Sequence, residues 1–285
     1  MNGVARRLFC FGLGFSARTL ARSLPGFAIA GTCRSDEKAA ALRGEGIEAF
    51  VFGDGRPLDA GALEGTTHLL LSVPPDGEGD PVFRALGGEI ARLKLNWAGY
   101  LSTTGVYGDR AGDWVDEASP LLPTTERGRR RLLAEQQWQS LGLPLHIFRL
   151  AGIYGPGRNQ LGGVADGTAR RIVKPGQVFS RIHVDDVAAA LAASMARPDP
   201  GAAYNLCDDE PAPPQDVVAY AAELLALPPP PEVAFEDAEL SPMARSFYEE
   251  SKRVSNRRMR DELGVALRYP TYREGLRALF EAKDL

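Results

Sequence analysis

Six residues near the start of the chain, Gly12-Leu13-Gly14-Phe15-Ser16-Ala17, have the spacing of a turn that carries backbone amides to a phosphate. They follow an apolar run and open a helical pattern, and that strand-turn-helix context lifts G-x-G-x-x-A above a chance pair of glycines. Gly12 suits the tight turn, Gly14 lets the backbone approach a pyrophosphate, and Ala17 allows close helix–strand packing. Phe15 and Ser16 complete the helix start that faces the negative charge. Twenty residues after Gly14, the second strand ends in Gly31-Thr32-Cys33-Arg34-Ser35, where an NAD site usually offers an acid to the ribose. Arg34 and Ser35 suit a ribose 2′-phosphate, so NADP is expected, with NAD the alternative if Asp36 serves as the ribose ligand. Asp54 either accepts from an adenine amino group or forms a turn between Gly53 and Gly55. Ser72 and Val73, at the end of the fourth strand, are counted with the cofactor residues.

Other chemistries find less support. Three scattered histidines and no paired carboxylates at ligand spacing give no metal site. No Gly-x-Ser-x-Gly elbow suggests a hydrolase. His68 and His146 fall inside expected strands as core residues, and His183 reads as structural, in a strand leading to Asp185. Tyr248-Glu249-Glu250-Ser251-Lys252 has the internal spacing of a proton-transfer pair but lies too far downstream, and is read as a decoy. Arg127, Arg129, Arg130 and Arg131 crowd one helix start, as a solvated face or as a cluster that meets a phosphate or carboxylate.

These residues need a scaffold. Short apolar strands alternate with helical patterns through the first half of the chain, the signature of βαβ units and a parallel sheet. Strands are expected at Arg6–Phe11, Ala28–Cys33, Glu48–Phe52, His68–Val73, Gly99–Thr103 and Leu145–Arg149. Helices are expected at Phe15–Leu24, Asp36–Arg43, Pro81–Leu93 and Glu126–Leu141, then at Val187–Met195 behind an Asp185 cap, Pro214–Leu225, Phe247–Leu263 and Tyr272–Lys283. The fold class is α/β: a doubly wound parallel sheet of the Rossmann type with a small, interrupted C-terminal cap domain. Residues 1–150 form the dinucleotide-binding domain and 151–285 mainly the cap, with 178–207 returning to the first domain.

Composition sets outer bounds. The 285 residues carry 33 Lys and Arg against 37 Asp and Glu, a net charge of −4, which supplies no basic footprint for nucleic acid or an anionic membrane. Arg6, Arg7 and Leu8–Ala17 look superficially like a signal peptide, but Gly12 and Gly14 interrupt the run and Arg18 ends it. Three widely spaced cysteines, Cys10, Cys33 and Cys207, make a poor disulfide framework and point to a reducing cytoplasm. The oligomeric state stays open.

Several motifs in order resemble the extended short-chain dehydrogenase/reductases, a family that includes nucleotide-sugar epimerases and dehydratases. They are Gly12–Ala17, Gly53-Asp54, Ser102-Thr103-Thr104-Gly105-Val106-Tyr107-Gly108, Arg149–Gly157, Arg181-Ile182-His183-Val184-Asp185-Asp186-Val187 and Tyr204-Asn205-Leu206. The resemblance implies a nicotinamide cofactor, a small-molecule substrate such as a nucleotide sugar, and proton transfer by a Tyr-x-x-x-Lys pair beside a Ser or Thr. Thr103 matches the Ser/Thr position. The Tyr and Lys positions hold Arg127 and Arg131, which marks an atypical subgroup, because a guanidinium stays protonated and cannot replace a phenol as acid or base. Tyr107, four residues after Thr103, is the expected substitute, its alternative being a packing role. A non-catalytic NADP-binding sensor is the rival reading.

Overall fold

The computed structural model describes residues 6–53 and 55–284. The chain runs β1 (Arg7–Phe11), α1 (Phe15–Arg22), β2 (Ala28–Cys33), α2 (Asp36–Gly44), β3 (Glu48–Val51), β4 (His68–Leu71), α3 (Pro81–Ile90), β5 (Trp97–Thr103), β6 (Trp114–Val115), α4 (Glu126–Gln139) and β7 (Leu145–Leu150). It continues through β8 (Gly152–Tyr154), α5 (Leu161–Ala165), β9 (Arg171–Val173), β10 (Arg181–His183), α6 (Val184–Ala196) and β11 (Ala203–Leu206). The last elements are α7 (Pro214–Leu224), β12 (Glu232–Ala234), α8 (Pro242–Phe247), β13 (Arg253–Val254), α9 (Arg257–Leu263) and α10 (Tyr272–Glu281).

Seven strands form one parallel sheet in the order β11-β7-β5-β4-β1-β2-β3. The chain winds outward from β1 to β3 and returns beside β1 at β4, which creates a switch point where ligands bind in open α/β sheets. Leu8, Phe9, Cys10 and Phe11 are completely buried, as a strand covered on both faces requires. Asp80 starts α3 by accepting from the Val82 and Phe83 amides at 2.8 and 3.3 Å, and Pro81 occupies the first turn where its missing N–H costs nothing. The other oxygen of Asp80 accepts from Trp138 Nε1 at 3.0 Å, tying α4 to α3.

The chain divides into two compact units: residues to Thr103 with Arg129–Arg149 and Ala188–Tyr204, and Thr104–Gly128 with Leu150–Val187 and the residues from Asn205 onward. The expected boundaries differ from these. Residues 104–128 join the second unit because β6 pairs with β13 and Thr124 Oγ1 donates to Glu250 Oε1 at 2.9 Å. The returning segment is 188–204 rather than 178–207, since β10 pairs with β8 inside the second unit. The expected helix Phe247–Leu263 is broken: α8 ends at Phe247, an extended stretch contains β13, and α9 starts at Arg257. Helix α6 begins at Val184, so Asp185 and Asp186 occupy its first turn rather than a cap. Asp186 instead accepts from the amides of Arg268 and Tyr269 at 2.7 and 3.1 Å. Among the described residues, no helix is long and apolar enough to cross a membrane.

Candidate functional site

The first unit builds the glycine turn at the switch point. Gly12 has φ +89°, a conformation L side chains rarely adopt, and a Cβ there would lie 2.9 Å from Ser72 Oγ. Its amide donates to Thr32 Oγ1 at 2.9 Å, and Leu13 N donates to Thr32 O at 2.8 Å, so β2 holds the turn from one side. Ser72 Oγ lies 2.6 Å from Gly12 O and 3.0 Å from Phe11 O, so β4 holds it from the other. Ser72 thus pins the turn, and Val73 packs against the core of the same unit. Gly14 begins α1 without a side-chain cap, and a Cβ there would meet no atom within 4 Å. The two glycines have different reasons: Gly12 has no room, and Gly14 leaves room above uncapped amides at Phe15, Ser16 and Ala17. A pyrophosphate fits such a helix start. Ala17 is 1% exposed, packed as expected of the third position.

The ends of β2 and β3 supply charge nearby. Arg34 and Ser35 are exposed just after β2. Ser35 Oγ accepts from Lys38 N at 3.2 Å as the cap of α2, which leaves its hydroxyl proton able to donate. Asp36 is held by the Arg56 fork at 2.7 and 3.1 Å, and this guanidinium keeps the carboxyl below its ordinary range. Asp54 lies outside the described residues.

Proton transfer finds a different setting. Thr103 closes β5 in the first unit, half-buried. Arg131 is no free surface cation: Nη1 donates to Leu101 O at 2.7 Å and to Tyr100 OH at 3.2 Å, and the guanidinium lies over the Tyr100 ring. One turn on, Glu135 is 1% exposed, accepts from Ser102 Oγ, and is forked by Arg149 at 3.0 and 3.3 Å. Sequence reasoning missed this buried Ser102–Glu135–Arg149 array. Its signal was a carboxylate at the core register of α4, in the 3-4-3 spacing Gly128, Arg131, Glu135, Trp138.

Within the second unit, the Arg127 guanidinium lies 5.0 Å from the Phe247 ring centroid. Gly128 is required by contact, since a Cβ would approach Gly105 O to 2.7 Å. Tyr107 is completely buried, and its hydroxyl donates to Asn205 Oδ1 at 2.7 Å. The Asn205 amide in turn donates to Glu117 Oε1 at 2.7 Å. The Tyr107 hydroxyl, expected as the substitute proton-transfer group, is thus engaged with Asn205 inside the second unit. Tyr248 caps α8 against Phe179 and Phe235, while Lys252, off that helix, pairs with Glu250 at 2.7 Å. Their five-residue spacing spans no helical turn. His183 accepts from Asp185 N at 3.2 Å, and burial pushes it down to about 4, so it is neutral near pH 7. Asp208 is 1% exposed with neither carboxyl oxygen hydrogen-bonded, and burial raises it well above the ordinary range.

Comparison with known proteins places this architecture. Residues 89–207 match the NAD dependent epimerase/dehydratase family. Protein YeeZ of Escherichia coli K12 is 30% identical over 287 residues, covering 93% of this chain and 97% of its own. A functionally unknown conserved protein from Silicibacter pomeroyi DSS superposes with a TM-score of 0.91 at 57% identity, covering 98% of this chain and 100% of that one. UDP-glucuronic acid 4-epimerase from Bacillus cereus, solved with UDP-glucuronic acid and NAD, has the same fold at a TM-score of 0.78, with 14% identity and coverage of 96% and 98%. With its parallel sheet, its glycine turn at the switch point and a relative aligned along nearly its whole length, the chain belongs to the NAD dependent epimerase/dehydratase family.

Proposed function

We propose that the protein is a nicotinamide-dependent oxidoreductase or epimerase-like enzyme of atypical type, acting in the cytoplasm on a small alcohol or carbonyl compound, with NADP preferred. The carrying observation is the glycine turn, where Gly12 is confined by Ser72 while Gly14 leaves space over the uncapped start of α1. Gly14, Phe15, Ser16 and Ala17 would hold the pyrophosphate, and Arg34 with Ser35 would receive the 2′-phosphate. The bound group would supply hydride transfer. Thr103 would orient the substrate oxygen, and Arg131 fixes a permanent positive charge beside the end of β5. Nucleotide sugars are the substrate class to test first, because the Bacillus cereus epimerase was solved with one. Free, buried Cys10, Cys33 and Cys207 suit a reducing compartment.

A second reading, a non-catalytic NADP-binding sensor, is favoured by one set of observations: Arg127 and Arg131 at the proton-transfer positions, with Tyr107 buried on Asn205. Turnover separates the two. A panel of nucleotide sugars and small carbonyl compounds, followed by NADPH absorbance and by product NMR, yields cofactor oxidation or epimers from an enzyme. Tight NADP binding with no product across the panel overturns the enzyme reading in favour of the sensor.

A further inference from the structure

Strands β2 and β3 leave the sheet side by side, with Cys33 opposite Val51 and Phe52 N donating to Cys33 O at 3.0 Å. From β2 the chain passes through Arg34 and Ser35 into α2. From β3 it enters a turn closed by reciprocal backbone bonds between Gly53 and Arg56, at 3.3 and 3.0 Å. This turn delivers Arg56 to the head of α2, where its two terminal nitrogens engage the two oxygens of Asp36. The side chains are 51% and 76% exposed, and so open an ion pair contributes little to stability.

Its position gives it another use. Asp36 stands two residues after Arg34 and is the acid able to act as an acceptor for a ribose diol, the arrangement that favours NAD. Left uncompensated, its charge would also repel a 2′-phosphate, which carries close to two negative charges at neutral pH. We infer that Arg56 sets cofactor preference: by occupying both oxygens of Asp36 it removes the NAD-type acceptor and cancels the repulsion, so that Arg34 can read a phosphomonoester on the ribose. The inference rests on the reading of Arg34 given above. Arg56 is a positioning residue acting through Asp36, and no contact with the cofactor is required of it.

The test is calorimetric titration of NADP and of NAD into the full-length protein and its Arg34→Ala, Arg56→Ala, Arg56→Lys and Arg56→Ala/Asp36→Asn variants. Arg56→Ala should lower the NADP-to-NAD affinity ratio by at least about tenfold, as expected when a neighbouring like charge is unmasked. Asp36→Asn in that background should restore the ratio to within about threefold of the wild type, because the repelling charge is then gone. Arg56→Lys should keep most of the preference. An unchanged ratio in Arg56→Ala, or a ratio that stays low in the double variant, overturns the inference. If the wild type shows no preference for NADP, both this inference and the Arg34 reading fall. If Arg34→Ala lowers the ratio and Arg56→Ala does not, this inference alone falls.

Discussion

The β1–α1 turn and the first turns of α4 use glycine to opposite ends. At the former, Gly12 is squeezed by Ser72 and Gly14 opens onto empty space, the geometry that the proposed cofactor site needs. At the latter, Gly128 is squeezed against Gly105 O, and the flanking arginines are taken up by the chain itself, Arg127 by Phe247 and Arg131 by Tyr100 and Leu101. On the function proposed above, cofactor binding and proton transfer are separable: the open start of α1 would cradle the first, and Arg127 and Arg131 stand where the family resemblance expects the phenol and amine of the second.

The comparison breaks most forcefully at Glu135. If the α4 region is framework, Glu135→Ala should cost about 3–5 kcal/mol in chemical denaturation, because its buried ion pair with Arg149 is broken. A cost near zero would show that the array does not hold α4 to β5 and β7. The cofactor side is tested by Arg34→Ala, which should weaken NADP by about 1.5–3 kcal/mol, the loss of one charge-assisted contact, and leave NAD unchanged in calorimetry. Equal losses for both cofactors would remove Arg34 from the phosphate.

Tyr107→Phe sharpens the contrast from within the second unit. Removing the hydroxyl leaves Asn205 Oδ1 without that donor, and thermal unfolding should report a loss of about 1–2 kcal/mol with NADP affinity unchanged. A variant as stable as the wild type but deficient in turnover would restore the shuttle role.

A further test concerns pH. Burial, reinforced by the charge of Arg268 and opposed by Asp185, lowers His183 from an ordinary value of 6.5 to about 4. The unfolded chain then binds the proton more readily, so this contribution to stability is complete above about pH 6.5, is lost as pH falls toward about 4, and is constant below. Replacing His183 by Asn should make the fall in stability over that window shallower in urea titrations. An identical slope would place His183 in contact with solvent. His68 and His146 are also lowered by burial and contribute in both proteins.

Much of the scaffold was legible because its signals are local. The run Leu8–Phe11, the glycine turn and the Asp80-Pro81 helix start announce β1, α1 and α3 within a few residues. β3 and β4 end one and two residues before the expected bounds, although Phe52 N still donates to Cys33 O and Ser72 N to Phe11 O at their ends. The C-terminal half was harder, since Tyr248–Lys252 has helical spacing but is pulled into an extended path: Ser251 accepts from Val178 N, and Arg253 pairs with Trp114. The glycines and Arg34 stand where their spacing placed them, at the β1–α1 turn and just after β2. The burial of Tyr107 on Asn205, 98 residues away, depends on long-range packing that no local pattern encodes, and the 3-4-3 register of α4 points to a buried Glu135 but not to its partners Ser102 and Arg149.

The central claim, that the glycine turn is a working dinucleotide site, is tested most directly by titrating NADP into the wild type and Gly14→Val while following unfolding of each. A valine at this position meets no protein atom within 4 Å at its Cβ, so the variant should fold with an unchanged Tm. It should bind NADP at least about a hundredfold more weakly, near 2.7 kcal/mol, because the side chain fills the space of the pyrophosphate. Equal affinity in a folded variant, or no binding of either NADP or NAD to the wild type, would contradict the account.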